Sequence, residues 1–454
     1  GNESTYSMGF RFSQYLSERF GSDVLKKITY SLSSPINYSI SSAIEKATGV
    51  TGDQLYVKWA ESLKVEYAEF DEKIQKYNVS GEIIEVVRGL KRRIEEIRIL
   101  PDKKNIYVKN KKFSSLEVNQ LKKEDIIKSL TSSGVWPHII QRPFGLVADP
   151  NSIPKAIHVS FFDTHPLAPS SEVLYKDDLE YIKSALRIIS KLTDGKIHLN
   201  HNKDSIKYFS IDGYENNVFS GPHPSGNVGV QIHHIDAVNK EDIVWSTSPQ
   251  GLIEIGKFFL EGIYDASKKI CLVGSEVKNT QYYSCISGTS IMNILENNIK
   301  DGTQRIISGN ILTGSSIGSK GYLGFYDSMV TVIPEGNSHE FLGWILPVIN
   351  KLSFQRAFGL FSFLNPKKKY NLNTNTNGEL RAFVQTGVFS KVLPMDILPT
   401  YLFKAILAED YDEMEELGIY ELVEEDVAIC EFVDVSKNDL QKLLRKGLNL
   451  LKDS

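Results

Sequence analysis

The chain has 454 residues, a net charge of −4, 41% hydrophobic and 24% charged residues. That is the composition of a globular protein long enough for about two to four domains at ~150 residues each, and it lacks the basic field that nucleic acid requires. No apolar stretch reaches the ~20 residues of a membrane span, so a membrane role is expected to be peripheral.

The first 77 residues read as a helical head. Phe10, Phe12, Tyr15, Leu16 and Phe20 share one helix face, and Gly21 is its expected stop. Leu55, Trp59 and Leu63 recur at helical spacing on another helix, before a charged run from Glu69 to Lys76. The texture changes at Val79. Residues 79–89 and 94–100 are rich in β-formers and read as a hairpin. A lone hairpin is marginal, so it is expected to be part of a β domain whose other strands are missing upstream.

From Leu121 strands and helices alternate, which argues an α/β domain with a partly parallel sheet. Ala156–Phe162 is an expected strand. Leu179, Ile182, Leu186 and Ile189 form a helical stripe closed by Gly195, and Ile197–Leu199 follows as a strand. Gly251–Leu260 and Ser290–Asn298 are expected helices, with Ile270–Val273 a strand between them. Residues 305–332, rich in glycine and β-formers, suggest a small α+β unit. Pro399 is expected to start a helix running to Leu417 with Gly418 as its stop. Ser436 with Asp439 is a capping signature for a last helix, on which Leu440, Leu443, Leu444, Leu448 and Leu451 share a face.

Several chemistries lack their residues. Gly309 and Gly314 have phosphate-loop spacing, but Ser315 stands where the lysine is needed. No Gly-x-Gly-x-x-Gly turn follows a strand. His339-Glu340 has no second histidine to complete a zinc helix. Cys271, Cys285 and Cys430 are too far apart in sequence for cluster or zinc spacing, and His223, His233 and His234 read as structural histidines. No catalytic residue, metal ligand or bound cofactor is expected.

The strings that remain point one way. Gly221-Pro222-His223-Pro224-Ser225-Gly226 is a rigid, exposed turn, followed by Asn227–Ala237. Ser133–Trp136 with Gln141–Phe144, Asp163–Ala168, Arg305–Gly314, Tyr322–Gly324, Phe341–Trp344 and Pro394–Pro399 follow in order. Together, from Val79 to the end, they resemble the A subunit of the bacterial sodium-pumping NADH:quinone reductase. The resemblance implies a multidomain α/β fold: a remnant of a barrel-sandwich-like β domain over 79–118, a Rossmann-like domain over 119–258, a small β-grasp-like α+β unit over 259–335 and a largely helical region over 336–454. It also implies a strand over Asn227–Ala237. The head matches nothing in that family; it loosely resembles the helical tail of a gluzincin-like peptidase domain, and a gene fusion or assembly artefact is expected at Lys76–Val79.

In such complexes NADH is oxidised at a flavin on another subunit. Electrons pass through flavins and iron–sulfur centres to ubiquinone, and sodium moves outward. The resemblance implies a cofactor-free protein on the cytoplasmic face of the inner membrane, near ubiquinone and docked chiefly on a membrane subunit. The alternative is an assembly scaffold that touches no quinone. Quinone-proximal candidates are Gly221, Pro222, His223, Pro224 and Gly226. Phe354, Phe358, Phe361 and Phe363 beside Lys367, Lys368 and Lys369 form a candidate docking stretch, with a core helix as the plainer reading. Cysteines that the family often carries near positions 419 and 434 are absent, leaving Cys430 alone.

Overall fold

The computed structural model describes residues 5–32, 39–62, 81–88, 94–101, 107–336, 354, 370–378, 380–383 and 387–453. The chain divides into two compact units, Gly1–Ile106 and Tyr107–Ser454.

The first unit carries helices α1 (Thr5–Phe20), α2 (Val24–Leu32), α3 (Ile40–Thr48) and α4 (52–62). Gly21 ends α1 at φ 90°, a conformation that costs glycine nothing. Leu16, Val24, Ile28, Ala43, Ile44 and Leu55 close a small core, and Phe12 packs against Tyr56 and Trp59. Leu63 and the Lys76–Val79 junction lie outside the described residues. Strands β1 (Gly81–Arg88) and β2 (Ile94–Pro101) pair antiparallel, as the composition of this stretch predicts.

The second unit is built on two sheets. The first has six strands: β3 (Ile140–Arg142), β4 (Leu146–Val147), β5 (Ala156–Ser160), β6 (Lys196–His201), β7 (Glu215–Val218) and β8 (Val244–Thr247). Their order is β4-β3-β8-β5-β6-β7. Strands β8, β5, β6 and β7 are parallel, while β3 and β4 add an antiparallel edge. The chain steps outward from β5 through β6 to β7, then returns to lay β8 on the other side of β5. That reversal opens a crevice at the carboxyl ends of β5 and β8, where open α/β sheets bind ligands. The central strands are covered on both faces, so β5 is buried along almost its whole length, His158 included, rather than on alternate residues.

Helices α5 (Lys123–Ser133), α6 (Ser171–Tyr175), α7 (Leu179–Ile189), α8 (Ile206–Phe209), α9 (Val228–Asp236) and α10 (Pro249–Leu260) accompany this sheet. Helices α7 and α10 cross closely at Gly256. A Cβ there would stand 2.2 Å from the Tyr181 carbonyl oxygen, so any side chain would force the helices apart.

The second sheet holds β9 (Ser267–Val273), β10 (Gln281–Ile286), β11 (Gln304–Ser308), β12 (Ser315–Ser316) and β13 (Met329–Pro334), ordered β10-β9-β13-β11-β12. Only β9 and β13 are parallel. With the single turn α11 (Met292–Leu295) it makes the small α+β unit. The chain ends in α12 (Pro399–Ala408), α13 (Tyr411–Glu416), α14 (Glu424–Val433) and α15 (Leu440–Asp453), whose core includes Val230 of α9.

Five sequence expectations need correction. Helix α7 stops at Ile189, before Gly195. There Thr193 Oγ1 donates to the Pro154 carbonyl, and Gly195 instead lets the chain pass against Lys155, whose carbonyl oxygen a Cβ would meet at 1.8 Å. The helix expected over 290–298 is one turn, ended by Asn297 at φ 63° with Asn298 Nδ2 donating to the Ile294 carbonyl. The strand expected over 227–237 is helix α9; burial of Val230, Gln231 and Ile232 overrides the β-branched texture. Pro399–Leu417 is two helices, because Glu409 turns to φ 57° and Asp410 caps α13 by accepting from Glu413 N–H. Of the two capping candidates, Asp439 accepts from the first turn of α15, at Lys442 N–H, while Glu431 accepts from Gln441 N–H. The Ser436 N–H is held by Asp434.

Candidate functional site

A cavity of about 470 Å³ opens at the carboxyl ends of β5 and β8. Three parts of the unit wall it: the loops of the six-stranded sheet, the start of β9 with residues 326–328, and the start of α14. Its size suits a small-molecule ligand.

The loop after β5 supplies the first side of the wall. Asp163 Oδ1 accepts from His165, from the backbone N–H and from Nδ1 at 2.6 Å. Burial alone would raise the Asp163 pKa, but the His165 contact outweighs it and holds the carboxyl below its ordinary value. Burial alone would lower the His165 pKa, but Asp163 holds it above the ordinary imidazole value. Each therefore favours the charged form of the other.

His223 lies 4.5 Å from His165, ring centre to ring centre. Burial, then the positive charge of His165, pushes it down to about 4, so it is neutral. Thr164 Oγ1 accepts from the Gly226 N–H at 3.0 Å and shares a hydrogen bond with His223 Nδ1 at 3.1 Å. The His223 Nε2 is covered and has no hydrogen-bond partner.

Arg142, at the end of β3, is 2% exposed. It donates to Asp426 and Glu425 of α14, each at 2.8 Å, and to the Glu421 carbonyl at 3.0 Å. Burial alone would lower its pKa; the two carboxylates outweigh that and hold it up. This clamp fixes the helical region to the α/β sheet. Gly229 lets α9 lie against it, since a Cβ there would stand 2.5 Å from the Asp426 carboxylate. Elsewhere in the cavity wall His138 Nε2 meets Glu254 Oε2 at 2.8 Å, and both groups are buried.

Of the residues expected from sequence near a quinone, Gly226 is in the cavity wall. His223 stands behind His165, Gly221 (φ 144°) and Pro222 are exposed, and Pro224 is buried. His233 is held by Glu421 and by the Asp396 N–H, and His234 bonds the Pro394 carbonyl, so both serve structure. Among the described residues no group of His, Cys, Asp and Glu is placed to hold a metal. The aromatic and lysine stretch lies outside the described residues, except Phe354, which is exposed. Sequence reasoning did not single out Arg142, Asp163, His165, Thr247 or Lys268 as site residues. The first three sit inside strings quoted for their family likeness, and nothing in the sequence marks the last two.

Two family profiles match: the NqrA second alpha/beta domain over residues 121–264 and the NQRA C-terminal domain over residues 269–318. The A subunit of the Na(+)-translocating NADH-quinone reductase of Pasteurella multocida (strain Pm70) is 36% identical over 373 residues, 82% of this chain and 82% of its own. This chain belongs to that NqrA family. The corresponding proteins of Vibrio parahaemolyticus (serotype O3:K6, strain RIMD 2210633) and Alcanivorax borkumensis (strain ATCC 700651) are 36% and 33% identical over 371 and 374 residues. Among solved structures, an NAD+-reducing NiFe hydrogenase in its H2-reduced state covers 75% of this chain and 63% of its own at a TM-score of 0.40 and 11% identity, too little to argue from. Membership of the NqrA family agrees with the fold of the second unit: an α/β sheet with a parallel β8-β5-β6-β7 core, a small mixed sheet and a helical C-terminal region.

Proposed function

We propose that this NqrA-family chain works as a peripheral, cofactor-free member of a Na+-translocating NADH:quinone reductase. It would contribute to reduction of ubiquinone while docked, on the cytoplasmic face, against a membrane subunit. The observation that carries the reading is the identity sustained over 82% of both chains. In keeping with a peripheral place, no described helix is long and apolar enough to cross a membrane. Redox chemistry belongs to cofactors, so the flavins and iron–sulfur centres would be held by partner subunits. The purified chain with NADH and a soluble quinone is expected to show no turnover above buffer. Turnover by the isolated chain would overturn the cofactor-free reading.

The quinone contact we propose is the Gly221–Gly226 turn, with His223 as donor. With Thr164 donating to Nδ1, its proton would sit on Nε2, and the ring stays neutral over the working pH range. In the assembled complex His223→Ala is expected to raise the KM for quinone by about tenfold, the loss of one hydrogen bond in a covered site, and to leave NADH oxidation by the flavin-bearing partner intact. An unchanged quinone KM would remove His223 and favour the scaffold role.

A further inference from the structure

We infer that the cavity at the carboxyl ends of β5 and β8 is an anion site that takes the phosphate group of a small molecule. The inference goes beyond the role proposed above and does not rest on it.

Three sets of observations converge there. The first is charge. Lys268 lines the cavity, is 5% exposed, and donates to the carbonyls of Gly324 and Phe325. Among the described residues no carboxylate pairs with it. Of the nearby carboxylates, Asp163 is held by His165, Glu425 by Arg142, Glu424 by Arg445 and Glu254 by His138, while Asp327 accepts from Ser308 and, with Glu254, acts on Lys268 only from beyond ion-pair distance. A buried ammonium with no carboxylate in direct contact is costly, and a bound anion relieves that cost.

The second is backbone. Helices α9 and α10 both begin at the cavity, at Asn227-Val228 and at Ser248-Pro249. Neither carries an acidic residue in its first turn. Two helix N-termini therefore turn their positive ends to one space, beside the acidic start of α14, whose carboxylates are paired with Arg142 and Arg445.

The third is unmade hydrogen bonds. Thr247, 7% exposed, and Asn227, 3% exposed, both line the cavity. Thr247 Oγ1 and Asn227 Oδ1 have no partner. The first is a donor for a phosphate oxygen. The second is an acceptor, which a hydroxyl carried by the same ligand would satisfy.

Calorimetric titration of the full chain with inorganic phosphate, AMP and adenosine tests the site. Both phosphates should bind and adenosine should not. AMP tighter than phosphate identifies a phosphate ester as ligand; equal affinity identifies free phosphate. Ser248→Asp keeps a good N-cap for α10, so it should fold normally while weakening both phosphates by about tenfold or more. Lys268→Met should do the same. No heat from phosphate or AMP up to about 10 mM, or affinities unchanged in a folded Ser248→Asp variant, overturns the proposal. Assembly with membrane partners is read separately, so failure of one idea does not mimic failure of the other.

Discussion

Replacing Arg142 with methionine is expected to destabilise the second unit by about 3–5 kcal/mol. The guanidinium is 2% exposed and spans from β3 to two carboxylates and a backbone carbonyl at the start of α14. Methionine fills much of the volume but strands Asp426, which is 0% exposed. The loss comes mainly from that uncompensated charge rather than from lost attraction. Combining Arg142→Met with Asp426→Asn should therefore recover most of it. Asparagine keeps an oxygen to accept from the Val423 N–H, as Asp426 does at 3.0 Å. Urea unfolding of the single and double variants reads this directly. A double variant no more stable than Arg142→Met would mean that packing, not charge, holds α14 to the sheet.

Acid is expected to loosen the α/β sheet well before its carboxylates titrate. His158 on β5 is 1% exposed and stacks on His198 of β6, with ring centres 4.6 Å apart. Burial, then His198 and Arg142, pushes its pKa down to about 3. An unfolded histidine titrates near 6.5, so below that pH the unfolded chain takes up a proton that the folded chain refuses. Stability falls as pH drops from about 6.5 toward 3. Between pH 7.5 and 5.0 the His158 share is about 2 kcal/mol. His223, His198 and His201 push the same way, all with lowered values. His165 pushes the other way: its raised value adds stability below about 6.5 that is lost as pH rises through its folded pKa. His158→Phe keeps a flat ring on β5 and removes the proton site. Urea midpoints at the two pH values should differ less in the variant, by an amount equivalent to about 2 kcal/mol. An equal pH dependence in both proteins would show that His158 is not the acid-sensitive group.

Much of the architecture was legible because strand and helix periodicities differ. The clearest case is the stripe Leu179, Ile182, Leu186 and Ile189, which forms α7 with its last three members fully buried. Misreadings fell where tertiary contacts decide. The family resemblance implied a strand over 227–237, yet Gln231 sits on a helix and bonds Asn200 and Ser160 of the sheet. The single helix expected over 399–417 breaks at Glu409, a residue with no intrinsic preference for φ 57°. The site was less legible still. Its cavity is assembled from stretches far apart in the chain, and Lys268 acquires its meaning only because β9 is brought to the carboxyl ends of β5 and β8. The Gly221–Gly226 turn stood out because two prolines and two glycines are visible in any sequence. The Asp163–His165 pair beside it has no such signature.

The central claim is membership of a working redox complex, and affinity purification through a tagged membrane subunit tests it most directly. Cells making this chain in place of their own NqrA should yield it in stoichiometric amount with the complex, and the eluate should reduce ubiquinone with NADH in a sodium-stimulated reaction. A complex that purifies and turns over at full rate while this chain stays in the unbound fraction would contradict the account.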